Sequence, residues 1–278
     1  NMTIAEISSY LISKLEYKYG IREATNMVSL LMEDKYQIRN LRRRDAFVHI
    51  SEIESIGDEL IAGVPVQYLT GVAHFYGFEY FVNRHVLIPR PETEELVHWI
   101  LSDHKVDRSQ KDVLDIGTGS GCILLSLKKK HPTFRIFGIE SSMDAYNVTR
   151  INAKRNRLQM QGYRFDFLDQ DVWSELGKWN IIVSNPPYIA ASEIDVMDQG
   201  VAQHEPAEAL FALEDPLIFY RSIIAFSEDH LHDNGLIYVE INQYLSEETA
   251  HLFIDAGFRI DLREDMQGNP RMIKAWRS

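Results

Sequence analysis

From Asp112 to the end of the chain, short apolar segments alternate with stretches of helical periodicity. This alternation is typical of βαβ units, in which a helix carries the chain back so that successive strands run parallel. It predicts an α/β domain built on a mostly parallel sheet. Two later segments, Phe258–Asp261 and Met272–Trp276, flank Gly268-Asn269-Pro270 and are expected to pair antiparallel at one edge of the sheet. The predicted parallel strands are Val113–Asp115, Arg135–Ile139, Tyr163–Phe167, Ile181–Val183 and Leu236–Glu240.

Ahead of this domain, apolar side chains recur at helical spacing. Gly20 separates two predicted helices, and Thr3 with Glu6 predicts a capping box at the first helical turn. Residues 73–82 are rich in aromatic residues that favour strands. The side chains that share a helical face are Ile4, Ile7, Leu11 and Leu15, then Ile21, Ala24, Val28 and Leu31. The predicted organisation is a small all-helical N-terminal domain at 1–72, a β-hairpin linker at 73–90 and the α/β domain at 91–278.

The composition narrows the class of protein. The 278 residues carry 29 basic and 41 acidic side chains, a formal net charge of −12, which disfavours a nucleic-acid substrate. Arg42-Arg43-Arg44 is a local basic patch, interpreted as a solvated helix face, with contact to RNA or an acidic partner as the alternative. The single cysteine, Cys122, excludes an intrachain disulfide, and no Cys/His cluster has metal-ligand spacing. Since no stretch approaches the ~20 apolar residues of a membrane span, and no signal pattern opens the chain, we expect a cytoplasmic protein without membrane contact.

The run Asp115-Ile116-Gly117-Thr118-Gly119-Ser120-Gly121 lies where a predicted strand turns into a helix. Glycines at such a point take tight-turn geometry and let a ligand approach the backbone. The G-x-G-x-G spacing is shorter than the G-x-G-x-x-G fingerprint of dinucleotide-binding proteins. We therefore interpret this glycine-rich turn as a binding site for an adenosyl cofactor, the alternative being a turn that serves packing alone.

Two acidic positions downstream extend this interpretation. Glu140 ends the second predicted strand, 19 residues after Gly121, where a carboxylate accepts hydrogen bonds from ribose hydroxyls. Asp171 and Val172 follow the third predicted strand, at the rim where an adenine would lie. Asp171 is the candidate acceptor for the adenine amino group, and Val172 is the candidate residue to cover its ring. The alternatives are a solvated strand-end carboxylate at Glu140 and a helix-capping Asp171 beside the core residue Trp173.

Asn185-Pro186-Pro187-Tyr188 directly follows the apolar run Ile181–Ser184. An amide or aromatic amine nitrogen is a poor nucleophile, because its lone pair is delocalised into the adjacent π system. The Asn185 side-chain oxygen and the Pro186 carbonyl can each accept one N–H and so orient such a nitrogen toward a methyl donor. The two prolines stiffen the turn, and Tyr188 can pack against the planar group. The run therefore predicts methyl transfer to a planar nitrogen, a rigid strand-ending turn being the alternative.

Four further stretches are typical of one protein family: Gly63–Gly71 (GVPVQYLTG), Phe75-Tyr76-Gly77, Val86–Glu94 (VLIPRPETE) and His204-Glu205-Pro206. Together with the two motifs, they make nearly the whole chain resemble the PrmC/HemK family, the protein-(glutamine-N5) methyltransferases that act on peptide chain release factors. One departure is Asn242, where relatives more often carry a glycine.

The resemblance implies a class I (Rossmann-like) methyltransferase domain and a helical N-terminal domain that helps to bind the release factor. It implies S-adenosyl-L-methionine as methyl donor and the glutamine of the release-factor Gly-Gly-Gln motif as acceptor. We expect three residues to be catalytic: Asn185, Pro186 and Tyr188. We expect the whole run from Asn185 to Tyr188, which includes Pro187, to bind the glutamine amide. The expected cofactor-binding residues are Asp115, Gly117, Thr118, Gly119, Ser120, Gly121, Glu140, Asp171, Val172 and Asn185.

Three alternatives remain at this stage. The Asn-Pro-Pro-Tyr run also serves enzymes that methylate exocyclic amines of nucleic-acid bases, although the net charge of −12 disfavours that substrate. The acceptor glutamine could instead belong to a ribosomal protein. From a different class, the chain could be a catalytically silent domain that binds a release factor or the ribosome.

Overall fold

The computed structural model describes residues 1–39, 47–212 and 214–278, so that Arg42-Arg43-Arg44 lies outside the described residues. The helices are α1 (Ile4–Asp34), α2 (Ile50–Ile61), α3 (Val66–Thr70), α4 (Pro91–Asp103), α5 (Cys122–Lys130), α6 (Met143–Arg155), α7 (Gln199–His204), α8 (Ala207–Leu210), α9 (Ile218–His230) and α10 (Ser246–Asp255). The strands are β1 (Met2–Thr3), β2 (Phe47–Val48), β3 (Val72–Phe75), β4 (Phe78–Phe81), β5 (Lys111–Ile116), β6 (Phe134–Ile139), β7 (Gln161–Tyr163), β8 (Trp179–Ser184), β9 (Leu231–Glu240), β10 (Arg259–Glu264) and β11 (Pro270–Trp276).

The chain forms two compact units. The first comprises Asn1–Val72, Val82–Arg84 and Met197–Glu205, and the second comprises Ala73–Phe81, His85–Val196 and Pro206–Ser278. No helix among the described residues has both the length and the apolar character to cross a lipid bilayer.

The predicted helical character of the first unit is confirmed, and the short antiparallel pair β1/β2 adds strand to a domain predicted to be all-helical. Its core consists of one face of α1 packed against α2 and α3, with Leu11 and Leu60 both fully buried. The predicted break at Gly20 is confirmed, because its φ of 77° and ψ of 159° interrupt α1. The predicted capping box is confirmed as well, since the Thr3 hydroxyl accepts from the Glu6 amide and the Glu6 carboxylate accepts from the Thr3 amide.

The second unit contains a seven-stranded sheet within the described residues, in the order β10-β11-β9-β8-β5-β6-β7. The pairs β9/β8, β8/β5, β5/β6 and β6/β7 are parallel. The strand β11 is antiparallel to both β9 and β10. The mostly parallel sheet and the antiparallel pair at its edge, both predicted from the sequence, are therefore confirmed.

Both faces of this sheet are covered, because side chains alternate in direction along each strand. On β5, Val113 packs into a cluster with α4 and α5, whereas Leu114 and Ile116 pack into a second cluster with α9 and α10. The carboxyl ends of the parallel strands consequently meet at one edge between two helical layers, the position where ligands bind in folds of this type.

The predicted hairpin is formed by β3 and β4. Its turn places Tyr76 at φ 51° and Gly77 at φ 76°, the pair of positive φ angles that suits a two-residue hairpin turn. Within the second unit, Asn152 of α6 accepts from the amide of Phe81 and donates to its carbonyl, at 2.7 and 2.8 Å. The Tyr80 hydroxyl lies 2.6 Å from the Ser126 hydroxyl of α5. The hairpin is therefore hydrogen-bonded to α5 and α6 of the second unit.

Candidate active site

The glycine-rich turn (Gly117–Gly121) connects β5 to α5 at the carboxyl edge of the sheet. Gly117, Gly119 and Gly121 have φ angles of 78°, 55° and 82°, in the left-handed region that side chains with a Cβ rarely adopt. The amides of Gly117 and Thr118 both donate to the carbonyl of Ile139 at the end of β6, at 2.9 and 3.1 Å. The turn is thus fixed by its backbone, and four of its residues, Gly117 to Ser120, line a cleft at this edge of the sheet.

Glu140 follows β6 and supports the same turn. Its Oε2 accepts from the Gly119 amide at 2.9 Å, and its Oε1 accepts from the Ser142 amide at 3.1 Å. Burial raises the pKa of Glu140, and these backbone donors oppose that rise. Because a carboxylate oxygen can accept more than one hydrogen bond, Glu140 retains the capacity to accept from hydroxyl groups of a ligand.

Asp115 lies beneath the turn and is 1% exposed. Its Oδ2 accepts from the Thr118 hydroxyl at 3.0 Å, whereas its Oδ1 has no hydrogen-bond partner among the residues that the structure describes. Burial, with a smaller contribution from the nearby Glu140 charge, raises the pKa of Asp115 to about 7. A buried carboxylate oxygen without a donor is costly, and such a group marks a place where a ligand donor would be favourable.

The Asn-Pro-Pro-Tyr run (185–188) follows β8, the neighbour of β5 in the sheet. The hydroxyl of Ser184, the last residue of β8, donates to the carbonyl of Ile116, the last residue of β5, at 2.6 Å. This bond joins the ends of the two strands and so holds the run next to the glycine-rich turn. Asn185 Nδ2 donates to Thr93 Oγ1 at 3.4 Å, and the Tyr188 hydroxyl donates to Glu240 Oε1 at 3.0 Å.

A cleft at this edge encloses about 1000 Å³ of space, part of it open to solvent, and all its lining residues belong to the second unit. It brings together seven of the predicted site residues: Gly117, Thr118, Gly119, Ser120, Glu140, Asn185 and Pro187. Gly121 is the N-cap of α5 at the end of the turn. Asp115 accepts from the lining residue Thr118, and Tyr188 follows the lining residue Pro187 and donates to Glu240. Pro186 lies between two lining residues.

Asp171 and Val172 do not line the cleft, whose third-strand rim is formed by Phe165, Asp166 and Phe167. The reason is the length of β7, which ends at Tyr163, whereas the sequence predicted a strand extending to Phe167. The chain therefore leaves the sheet at Tyr163, and the residues that reach the rim, Phe165 to Phe167, lie before Asp171 in the sequence. Asp171 is exposed in the 3-10 helix Gln170–Glu175, whose amino end is capped by the Asp169 side chain.

Other parts of the second unit also contribute lining residues, which were not predicted as site residues from the sequence. Thr93 and Arg90 come from the start of α4, Glu208 from α8 and Phe219 from α9. Arg90 and Thr93 fall in the Val86–Glu94 stretch, which the sequence marked only through its resemblance to a family. For Glu208 and Phe219, no local pattern indicated a place in the site.

The family model for the methyltransferase small domain matches residues 96–208. A release factor glutamine methyltransferase of Flavobacterium psychrophilum is 36% identical over 97% of this chain and 91% of its own length. A release factor glutamine methyltransferase of Streptococcus pneumoniae is 40% identical over 80% of this chain and 78% of its own length.

Among solved structures, the catalytic domain of hMettl16, in complex with hairpin 6 of the MAT2A 3′UTR, is similar in fold. It matches with a TM-score of 0.58 and 19% identity, over 73% of this chain and 76% of that domain. At this level of identity the similarity supports the fold of the second unit and carries no information on substrate.

Proposed function

This chain belongs to the release factor glutamine methyltransferase family, and we propose that it methylates the side-chain amide nitrogen of the glutamine in the Gly-Gly-Gln motif of peptide chain release factors. The observation that carries the proposal is the placement of Asn185 and Pro187 in one cleft with the glycine-rich turn. A cofactor-binding turn and a run suited to a planar nitrogen thus meet across the ends of adjacent strands. Gly117 and Asn185 are far apart in sequence, and the pairing of β5 with β8 brings them to neighbouring strand ends.

The methyl donor we propose is S-adenosyl-L-methionine, which when bound supplies a methyl group on a positively charged sulfonium. The residues of the cleft fit such a group. An ideal Cβ built on Gly117 or Gly119 meets no heavy atom within 4 Å, so the turn leaves room for a ligand against the backbone. The Glu140 carboxylate lines the cleft and can accept from the ribose hydroxyls. Asp115 does not line the cleft, and it would act through the lining residue Thr118, whose hydroxyl donates to it. Glu208 and Asp166 add further negative charge around the cleft.

Asn185 and Pro186 would act by orienting the acceptor. The Asn185 Oδ1 and the Pro186 carbonyl would each accept one N–H of the glutamine amide and hold the face of its nitrogen toward the methyl carbon. S-adenosyl-L-methionine would supply the methyl group and leave as a neutral thioether, and the amide nitrogen would gain the methyl group in place of one proton, which would pass to solvent. Since the leaving sulfur would be neutral, positioning by Asn185 and Pro186 and electrostatic complementarity would provide most of the catalysis, without a strong base.

We also propose the division of labour between the parts of the chain. Residues 1–72 would recognise the release factor, residues 73–90 would link the domains, and residues 91–278 would carry the chemistry. The similarity to the Flavobacterium psychrophilum relative extends over 97% of the chain, so the family resemblance includes the helical unit as well as the sheet. A substrate that acts in translation termination would place the protein in the cytoplasm.

The test is methyl transfer from labelled S-adenosyl-L-methionine to purified acceptors. The acceptors are a release factor, its Gln→Ala variant at the Gly-Gly-Gln motif, a mixture of ribosomal proteins and a nucleic-acid control. We expect label on the wild-type release factor alone. Label on ribosomal proteins or nucleic acid would replace the proposed acceptor, and binding of S-adenosyl-L-methionine without transfer to any acceptor would support a catalytically silent domain.

A further inference from the structure

The Asn-Pro-Pro-Tyr run is held by a buried carboxylate to which the proposed function assigns no part. Glu240 ends β9, directly beside the end of β8, and is 2% exposed. Its Oε2 accepts from the Thr93 hydroxyl at 2.6 Å, and its Oε1 accepts from the Tyr188 hydroxyl at 3.0 Å. We propose that Glu240 and Thr93 are positioning residues that fix which way the side-chain amide of Asn185 faces, an inference that rests on the proposed function of Asn185.

The single hydroxyl proton of Thr93 sets the direction of these hydrogen bonds. A threonine hydroxyl has one proton to donate, and Thr93 donates it to Glu240. The oxygen of Thr93 can then only accept, and it lies 3.4 Å from Asn185 Nδ2, which donates. The amide NH₂ of Asn185 is thereby directed toward Thr93, and its Oδ1 is left to accept an N–H of the substrate amide. If the amide of Asn185 were rotated by 180°, its NH₂ would face the N–H of the substrate amide, and two donors would then meet.

The other carboxylate oxygen of Glu240 holds the far end of the run. The Tyr188 hydroxyl donates to it, so a single carboxylate fixes both the first and the last residue of the run, directly or through Thr93. The Tyr220 hydroxyl donates to the backbone carbonyl of Glu240 at 2.7 Å and fixes the position of Glu240 itself. The orientation of Asn185 therefore depends on Thr93, which it contacts directly, and on Glu240, which it does not contact.

This arrangement requires Glu240 in its ionised form, because both of its oxygens accept. A protonated Glu240 would have to donate to Thr93 or to Tyr188, and donation to Thr93 would reverse the hydrogen-bond direction that reaches Asn185. Burial raises the pKa of Glu240, and the Glu92 charge on α4 acts in the same direction. The hydroxyls of Thr93 and Tyr188 and the Arg271 guanidinium on β11 oppose that rise. Tyr220 is buried with its own pKa raised, so it stays neutral beside Glu240.

The first experiment compares Thr93→Val with Thr93→Ser. Valine has nearly the same shape but neither donates nor accepts, whereas serine keeps the hydroxyl. We expect Thr93→Val to lower kcat for release-factor methylation on the order of 100-fold, as expected for a misplaced positioning group. We expect Thr93→Ser to retain most of the activity, and the affinity for S-adenosylhomocysteine, measured by calorimetry, to change less than about threefold in both variants. Equal kcat values in Thr93→Val and the wild type would overturn the proposal.

The second experiment follows kcat of the wild type and of Glu240→Gln as a function of pH. Glutamine is isosteric but has only one accepting oxygen, so it cannot accept from both hydroxyls. We expect wild-type kcat to fall on the acid side as Glu240 takes up a proton, and we expect the lowered kcat of Glu240→Gln to lack this fall. An unchanged acid limb in Glu240→Gln would assign it to another group and contradict the requirement for ionised Glu240.

The orientation of Asn185 can also be observed without any acceptor protein. The side-chain ¹H–¹⁵N resonances of Asn185, assigned through their loss in Asn185→Ala, are expected to shift in Thr93→Val and to stay near the wild-type position in Thr93→Ser. This readout separates two failures. If the wild type methylates no release factor but the resonances behave as expected, the proposed function fails and the positioning network stands. If the resonances are the same in all three proteins, the positioning proposal fails whatever the substrate.

Discussion

The glycine-rich turn and the Asn-Pro-Pro-Tyr run lie on adjacent strands of one sheet but are fixed in different ways. The turn is held by contacts that are short in sequence: Thr118 to Asp115 spans 3 residues, and Gly119 to Glu140 spans 21. The run is held by side chains from distant elements, with Asn185 to Thr93 spanning 92 residues and Thr93 to Glu240 spanning 147. The proposed cofactor end of the site is therefore fixed by neighbouring parts of the chain, from β5 to α6, whereas the proposed substrate end depends on the assembled fold.

The substitution with the largest expected effect is Asn185→Ala. It removes the proposed acceptor for the substrate amide, and loss of a comparable positioned group costs about 100- to 1000-fold in kcat. We expect kcat for release-factor methylation to fall by that factor, while the affinity for S-adenosyl-L-methionine changes less than about tenfold, because the glycine-rich turn is intact. Steady-state kinetics and calorimetry provide the two measurements.

A matched control for this prediction is Asn156→Ala. The side chain of Asn156 donates to the Asn152 carbonyl at the end of α6, and it does not line the cleft. The same chemical change is therefore made outside the site, and kcat should stay near the wild-type value. Wild-type turnover in Asn185→Ala, with cofactor binding intact, would refute the role of the Asn-Pro-Pro-Tyr run.

The local character of the turn is tested by Gly117→Ala against Gly257→Ala. Both glycines have positive φ, 78° and 84°, and an added Cβ meets no heavy atom within 4 Å at either. Each alanine should lower the free energy of unfolding by about 1–2 kcal/mol, because both are forced into the left-handed region. Only Gly117 lines the cleft, so its methyl group should also occupy ligand space and weaken S-adenosyl-L-methionine binding about 10- to 100-fold. Equal affinities in the two variants, measured by calorimetry, would contradict the assignment of the turn.

A pH dependence should arise from Asp115, whose pKa of about 7 in the fold lies above the ordinary 3.8. Between about pH 4 and 7 the folded protein keeps a proton that the unfolded chain has lost. The contribution of Asp115 to the free energy of unfolding should therefore fall as pH rises through this window, by about 2–4 kcal/mol in total. Urea unfolding at pH 5 and pH 8 should show this fall in the wild type and a smaller one in Asp115→Asn. Identical pH dependence in the two proteins would contradict the raised pKa.

The same contrast explains how much could be predicted from the sequence. The break at Gly20 and the glycine-rich turn follow from patterns within a few residues, and the parallel sheet follows from the alternation of short segments along 112–278. The structure agrees with these predictions. The rim at Asp166 was missed because the end of β7 depends on where pairing with β6 stops, which no local pattern indicates. The link from Thr93 to Glu240 could not be predicted, because it exists only once α4 and β9 are packed in the second unit.

The smallest expected effect concerns Asn242, which the resemblance noted in the sequence marks as a departure from the family pattern. Its Nδ2 donates to the Tyr188 carbonyl at 3.1 Å and to Glu193 Oε2 at 2.9 Å, and its Oδ1 accepts from the Tyr244 amide. A glycine would lose these bonds, so Asn242→Gly should lower the free energy of unfolding by about 1–2 kcal/mol. Because Tyr188 remains bonded to Glu240, kcat should fall less than about threefold, a change of under 1 kcal/mol in the barrier. Urea unfolding measures the stability change, and steady-state kinetics measure kcat. A loss of kcat as large as that of Asn185→Ala would mean that the Tyr188 carbonyl, and not the carboxylate of Glu240, sets the geometry of the run.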